Sequence, residues 1–182
     1  MKFVKVEKES LFVYHSFTEL RKEYSHISFP PTPNIEFLKT LNIYPLVYPE
    51  NKPDITYKQK LVESIPINKE GQFIEWGIEW IVVEASEQEQ LDALNHIKME
   101  IGFYLNDLLD RYAANKGYDG ILSLCSYSDS QYEPFRLEAQ EGIRVRDVTW
   151  KKAIEFIETL QKEERVFNGV SDIDPLIPDL VK

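Results

Sequence analysis

The sequence predicts an α+β fold in which a small N-terminal domain, rich in β-hairpin structure with short helices, precedes a C-terminal helical hairpin with two long helices. Residues 55–83 alternate apolar and polar positions, whereas residues 91–112 place an apolar side chain every three or four positions. The chain has 182 residues, of which 43% are hydrophobic, enough for one domain or two small ones. We expect an α+β domain at residues 1–85 and a helical domain at residues 86–182.

Short apolar runs predict the first elements. Phe3, Val4 and Val6 indicate one strand, and residues 11–14 indicate a second. A helix is expected to begin near Thr18, and Asn34 is expected to cap another short helix. A buried strand at residues 43–48 and a loop at residues 49–53 should follow.

The strongest β signal is a hairpin over residues 55–83. Apolar residues from position 55 to position 67 mostly share one face, and the tetrapeptide at residues 68–71 has the composition of a turn. The returning strand places five apolar residues on one face: Ile74, Trp76, Ile78, Trp80 and Val82. Period two over both arms predicts two paired strands.

The second half predicts two long helices. Ser86 and Glu89 have the spacing of a capping box, and Gly117 supplies a left-handed stop, which gives a helix of about thirty residues, or about 45 Å. The second helix should begin near Pro134. Its expected apolar face is Phe135, Ala139, Ile143, Trp150, Ile154, Ile157 and Leu160. Between the helices, a short buried turn of helix at residues 121–125 should fill the bend, and the tail at residues 172–180 could lie across the hairpin or against a partner.

Composition excludes several classes of protein. The net charge of -10 and the pI near 4.9 argue against a nucleic-acid partner. No apolar run approaches the length of a membrane span, and the chain carries no phosphate-binding glycine loop and no Cys-rich metal pattern. Cys125 is the single cysteine, which fits a reducing compartment. We therefore expect a soluble protein made in the cytoplasm, with no cofactor, no nucleic acid and no membrane.

Polar residues around the bend leave two interpretations open. Asp119, Asp129 and Glu138, near Arg144 and Arg146, could form the paired carboxylates of a hydrolase. The favoured interpretation is structural: Asp119 and Ser130 cap helices, and the arginines form salt bridges. Cys125 lies in the most apolar turn and is expected to fill the core. No catalytic residue is therefore predicted.

Large aromatic residues are the best candidates for contact with a partner. Trp76, Trp80 and Tyr57 concentrate in the first domain, although a domain of this size could use them for its own core. Phe103 and Tyr104 lie off the main stripe of the first long helix and would need a second surface. The apolar stripe of that helix could be buried by its hairpin partner alone, or it could extend into a symmetric bundle with a second copy of the chain.

Several motifs resemble a family of small two-part proteins encoded beside the tail-fibre genes of tailed bacteriophages. In the second half they are the GYD at residues 117–119, the serine and tyrosine cluster at residues 123–130, Phe135 with Glu138 and Ala139, and the run from Arg146 to Trp150. In the first half, residues 19–21, 28–30, 41–45 and the hairpin are similar as well. The resemblance covers nearly all of the chain.

This resemblance implies a non-enzymatic tail-fibre assembly chaperone that binds the phage tail-fibre protein in the host cytoplasm. The alternative is a structural tail component, such as a baseplate or fibre-attachment subunit, that is retained in the virion.

Overall fold

The computed structural model describes residues 1–8, 10–32, 34–69 and 75–178. Helix accounts for 51% and strand for 17%, with the strands near the N-terminus and the long helices near the C-terminus, so the predicted α+β class is confirmed. The chain forms two compact units, one of Met1–Pro53 with Leu61–Val83 and the other of Asp54–Lys60 with Glu84–Lys182. The short segment 54–60 thus belongs with the helical half, although it precedes the boundary expected after residue 85.

The first unit contains short strands and two short helices, and the strand that starts at Gln59 and the strand that ends at Glu84 each extend into the second unit. In chain order the elements are β1 (Phe3–Glu7), β2 (Ser10–Tyr14), α1 (Phe17–Glu23), α2 (Ile35–Thr40), β3 (Ile43–Val47), β4 (Gln59–Glu63), β5 (Ile67–Lys69), β6 (Glu75–Gly77) and β7 (Trp80–Glu84). As expected, Asn34 caps α2, because its side-chain oxygen accepts from the amide of Phe37 at 3.1 Å. Ser16 caps α1 in the same way.

A five-stranded sheet in the order β2-β1-β3-β6-β5 organises this unit. The strand β1 is antiparallel to both of its neighbours, β3 and β6 are parallel, and β5 returns antiparallel to β6. The buried core is Phe3, Tyr14, Leu20, Phe29, Leu38 and Ile43. Aromatic side chains dominate the packing around it, with Phe17, Phe29 and Phe37 in edge-to-face contact.

The predicted hairpin at residues 55–83 is present but interrupted, because each arm is divided into two short strands. The strand β4 pairs with β7 in a separate two-stranded sheet, while β5 and β6 belong to the five-stranded sheet, and residues 55–58 are not a strand. Pro66 has no amide hydrogen for a ladder, and the hydroxyl of Ser64 accepts from the amide of Glu79 at 2.9 Å where the pairing breaks. Gly71 of the predicted turn and Ile74 lie outside the described residues.

The second unit contains α3 (Glu87–Ala114), α4 (Ile121–Cys125) and α5 (Glu133–Glu163), with short 3-10 turns at Ser126–Asp129, Val170–Asp172 and Asp174–Leu176. The predicted capping box is confirmed: Ser86 accepts from the amide of Glu89, and the Glu89 carboxylate accepts from the amide of Ser86 at 2.8 Å. The two long helices have 28 and 31 residues, close to the predicted length. Gly117 follows α3 with a φ of 88°, the left-handed geometry expected of a stop.

The predicted apolar face of α5 is largely wrong. The buried positions are Ala139, Gly142, Val145, Thr149, Ala153, Phe156 and Leu160, so only the first and last of these were expected. Small residues let the neighbouring elements approach α5: a methyl group added at Gly142 would lie 2.7 Å from a methyl carbon of Leu124 in α4. Among the other predicted positions, Trp150 and Ile157 are only partly buried against the core, and Phe135 and Ile154 are exposed.

The chain after α5 packs against the helical unit. Ile173 and Ile177 are buried in its core, and the hydroxyl of Tyr104 in α3 donates to Asp174 at 2.5 Å. The tail was expected to lie either across the hairpin or against a partner. The part up to residue 178 lies across the hairpin. Within the described ranges, no helix combines the length and the apolar character needed to cross a membrane.

Candidate partner-binding surface

The bend between α3 and α5, which we call the elbow, spans residues 115–132. It begins with two turn hydrogen bonds, in which the amides of Gly117 and Tyr118 donate to the carbonyls of Ala114 and Ala113 at 2.9 and 3.1 Å. The chain then enters α4, whose Leu124 is fully buried against Gly142 of α5. The plug that was predicted at residues 121–125 is therefore present, although Leu122 is exposed.

The start of α4 is held by a residue that the sequence analysis missed. A carboxylate oxygen of Asp110 in α3 accepts from the amide of Ile121 at 2.8 Å. A methyl group added at Gly120 would lie only 2.8 Å from that same oxygen, so glycine is needed there. Asp119 makes no such cap, and the prediction that Ser130 caps a helix is also wrong. The Ser130 hydroxyl accepts from the amide of Tyr132 at 3.2 Å, but Tyr132 is itself the N-cap residue of α5, and none of the described side chains caps that helix.

Four aromatic side chains form a connected group at the elbow, which we call the elbow aromatic cluster. The ring of Tyr127 lies 5.5 Å from that of Tyr118 and 5.4 Å from that of Phe135, and Phe135 lies 5.0 Å from Tyr132. All three contacts are edge-to-face, the geometry that the ring quadrupoles favour. Yet Tyr132 is 60% exposed and Phe135 is 43% exposed. The cluster is thus ordered by mutual contact but is still open to solvent.

A cleft of about 370 Å³ adjoins the cluster, and we call it the elbow cleft. Its lining is Lys116, Gly117, Tyr118, Asp119, Ser123, Tyr127, Phe135 and Glu138. The hydroxyl of Tyr118 donates to a carboxylate oxygen of Glu138 at 2.7 Å. That hydrogen bond, aided by desolvation, raises the pKa of Tyr118 to about 12, so its phenol stays protonated at neutral pH. The lining includes many of the residues on which the family resemblance rests.

The charged residues of the proposed hydrolase site are only partly brought together. Asp119 and Glu138 line the cleft, but Asp129 does not. Arg144 pairs with Glu141 at 2.6 Å and Arg146 pairs with Asp147 at 2.8 Å, so both arginines form local salt bridges on α5.

The elbow, as the structure describes it, has neither an activated cysteine thiol nor a group of side chains that could bind a metal ion. Burial raises the pKa of Cys125, whose side chain is partly packed against the helical core, and this favours the unreactive thiol form. Over the described ranges, no three His, Cys, Asp or Glu side chains are grouped so that they could hold a metal ion.

The aromatic residues predicted to bind a partner have different surroundings. In the first unit, Trp76 lies 6.4 Å from the ring of Tyr44, Trp80 lies 6.1 Å from that of Tyr48, and both tryptophans are half-buried. Tyr57 belongs to the second unit and is half-buried as well. In the second unit, Phe103 is 74% exposed. Tyr104 is half-buried and bonded to Asp174, so the tail already covers it. A partner contact at any of the five positions stays a prediction.

The elbow aromatic cluster was not predicted. Phe135 was assigned to an apolar helical face, and the other three aromatic residues, Tyr118, Tyr127 and Tyr132, were given no packing or binding role. A signal was present, because all four lie within the eighteen positions from 118 to 135, around the predicted bend. Comparison of the chain with protein-family models, with curated proteins and with solved structures finds no match.

Proposed function

We propose that this protein is a non-enzymatic, protein-binding assembly factor, and specifically the tail-fibre assembly chaperone that its motifs resemble. The observation that carries the proposal is the elbow aromatic cluster, which is partly open to solvent beside a cleft. Tyr and Phe are enriched at protein interfaces because they supply large contact areas and lose little conformational freedom on binding. Burial of Tyr132 and Phe135 by a partner chain would remove from water the apolar surface that this unit leaves exposed.

The polar part of the cleft supports recognition of a polypeptide. Asp119 and Lys116 present a carboxylate and an ammonium group beside the rings, while Ser123 adds a hydroxyl. A few polar groups around aromatic anchors give orientation and specificity at protein-binding sites. A fibre protein that still exposes strand edges and apolar faces is the kind of client that such a surface protects from aggregation.

The local ion pairs favour binding over hydrolysis. A hydrolase of the paired-carboxylate kind needs two carboxyl groups that flank the substrate and differ in protonation state. Asp129 does not line the cleft, Glu138 accepts a hydrogen bond from the phenol of Tyr118, and the two nearby arginines pair with their own neighbours on α5. We therefore assign the cleft a recognition role.

The test is co-expression of the full chain with the fibre protein encoded beside it, followed by size-exclusion chromatography. We expect co-elution and more soluble fibre with the native chain, and loss of both with the double variant Tyr132→Ser/Phe135→Ser. The matched control is Leu176→Ser, because Leu176 is 44% exposed, almost the same as Phe135, but lies in the tail. Unchanged co-elution of the double variant would place the interaction on another surface.

A second measurement distinguishes the chaperone from the alternative, a tail component that is retained in the virion. Mass spectrometry of purified phage particles should detect no stoichiometric copy of a chaperone that acts in the host cytoplasm. A stoichiometric amount in the particle would instead support the baseplate or fibre-attachment subunit.

A further inference from the structure

A second apolar surface runs beside the seam between α3 and α5, and we call it the flank groove. It has a volume of about 380 Å³ and is lined by Lys98, Trp150, Ile154, Ile157, Glu158 and Gln161. On α3, Gly102 lies next to one of the lining residues of the groove, because a methyl group added there would lie 3.7 Å from the indole of Trp150. Ile154 on its wall is 54% exposed. The flank groove is separate from the elbow cleft and shares no lining residue with it.

The opposite flank of α3 is already covered by the tail. Tyr104 bonds to Asp174 there, and it lies two residues after Gly102, which corresponds to roughly 200° around the helix at 3.6 residues per turn. Gly102 and Tyr104 therefore face opposite sides of α3. The tail closes one side with Ile173 and Ile177, and within the described part of the chain no segment closes the other.

The apolar residues beside the seam of α5 are the second observation. The seam buries small and large residues alike, from Ala139 to Leu160, and beside it Trp150 and Ile157 are only partly buried against the core while Ile154 is exposed. Large apolar side chains at a partly exposed flank are typical of helices that pack on a further pair of helices, because those side chains then become core positions. This explains why the sequence pattern of α5 combines two adjacent apolar stripes.

We propose that a second copy of this chain occupies the flank groove and forms a two-fold symmetric dimer with four long helices at its centre. The charges on the two walls fit this occupant: Lys98 stands on the α3 wall, Glu158 stands on the α5 wall, and neither has a salt-bridge partner among the described residues. A two-fold axis along the helices places α3 of each copy against α5 of the other. Lys98 then meets Glu158 of the second copy twice, as a self-complementary interface requires.

The molar mass of the full chain in solution, measured by light scattering across a concentration series, tests this proposal. We expect a dimer for the native chain and a monomer for Ile154→Glu, with the helical circular dichroism of the variant unchanged because this side chain is already half exposed. The control is Leu137→Glu, since Leu137 lies on the same helix, is 56% exposed and is not in the groove, so this variant should remain dimeric. A monomeric native chain, or a dimer that survives Ile154→Glu, would overturn the proposal.

Exchange of the two charged residues, Lys98 and Glu158, tests whether a second copy of the chain occupies the flank groove. The single variants Lys98→Glu and Glu158→Lys should each weaken the dimer at least tenfold in dissociation constant, because each creates two like-charged contacts across the axis. The double variant Lys98→Glu/Glu158→Lys should restore most of the native dissociation constant. Failure of the double variant to recover, after both single variants have lost the dimer, would overturn the two-fold arrangement.

Discussion

Among the glycines of the helical unit, Gly142 would bring an added methyl group closest to a neighbour, and its replacement by alanine tests how tightly α4 is packed against α5. The added methyl group would lie 2.7 Å from Cδ2 and 2.9 Å from Cγ of Leu124, closer than real contacts allow. Leu124 is fully buried, so it has little room to move. Gly142→Ala is therefore expected to destabilise the unit despite the better helix propensity of alanine.

The magnitude follows from two opposing effects. Replacement of glycine by alanine inside a helix contributes about 0.8–1 kcal/mol of stability. Overpacking by one methyl group in a filled core costs about 1–3 kcal/mol. The net expectation is a loss of about 1 kcal/mol. Gly102→Ala is the matched control, because its new methyl group meets only Trp150 at an ordinary 3.7 Å. The free energy of unfolding of that variant should rise by the helix-propensity difference between glycine and alanine, about 0.8 kcal/mol.

Urea unfolding of the full chain, followed by helical circular dichroism, measures both variants. The helical signal reports mainly on the second unit, because α3 and α5 have 28 and 31 residues whereas α1 and α2 have 7 and 6. Stabilisation by Gly142→Ala equal to that by Gly102→Ala would refute the close contact. The double variant Gly142→Ala/Leu124→Ala should be less destabilised than the sum of its single variants, because the new methyl group partly fills the cavity.

Three further predictions concern hydrogen bonds and charge in the helical unit. Thr149→Val should stabilise the helical unit by about 1 kcal/mol, because the buried hydroxyl has no partner among the described residues. Thr159→Val, which loses a 2.9 Å bond to a carbonyl, should give no gain in stability, and equal effects of the two variants in urea unfolding would contradict this prediction. Asp110→Ala should cost about 1 kcal/mol in the same assay through loss of the bond that holds the start of α4, and an unchanged midpoint would argue against that bond. The Lys60 ammonium, together with the Ser86 amide, lowers the pKa of Glu89 from 4.5 to about 2, so its contribution to stability is full above pH 4.5 and is lost as the pH falls towards 2. An NMR titration should find this low midpoint for the Glu89 carboxyl in the native chain and a higher midpoint in Lys60→Met. A native midpoint near 4.5 would contradict the ion pair between Lys60 and Glu89.

Local signals in the sequence were sufficient for the helices and their ends. Ser86, Glu89 and Asn34 act through neighbours three residues away, so their capping roles could be predicted from the sequence alone. The stripe along α3 was also largely predictable, since its buried positions recur at helical spacing. These features depend on residues that are close in the chain.

Features that depend on distant contacts could not be predicted. Ile154 and Ile157 have the hydrophobicity of core residues, but the seam at that level of α5 is filled by Ala153, Phe156 and Leu160. The division of the hairpin between two sheets occurs beside Ser64 and Glu79, which are bonded to each other across fifteen residues of sequence. Each of these outcomes follows from a contact between residues that are well separated in sequence.

The most direct test of the proposed function is hydrogen exchange of the full chain, measured by mass spectrometry with and without the fibre protein. A partner that binds the elbow aromatic cluster should slow amide exchange in residues 117–138 by covering the turn, α4 and the start of α5. Exchange in the five-stranded sheet should not change. Formation of a complex that leaves exchange at the elbow unaltered would contradict the assignment of this surface to partner binding.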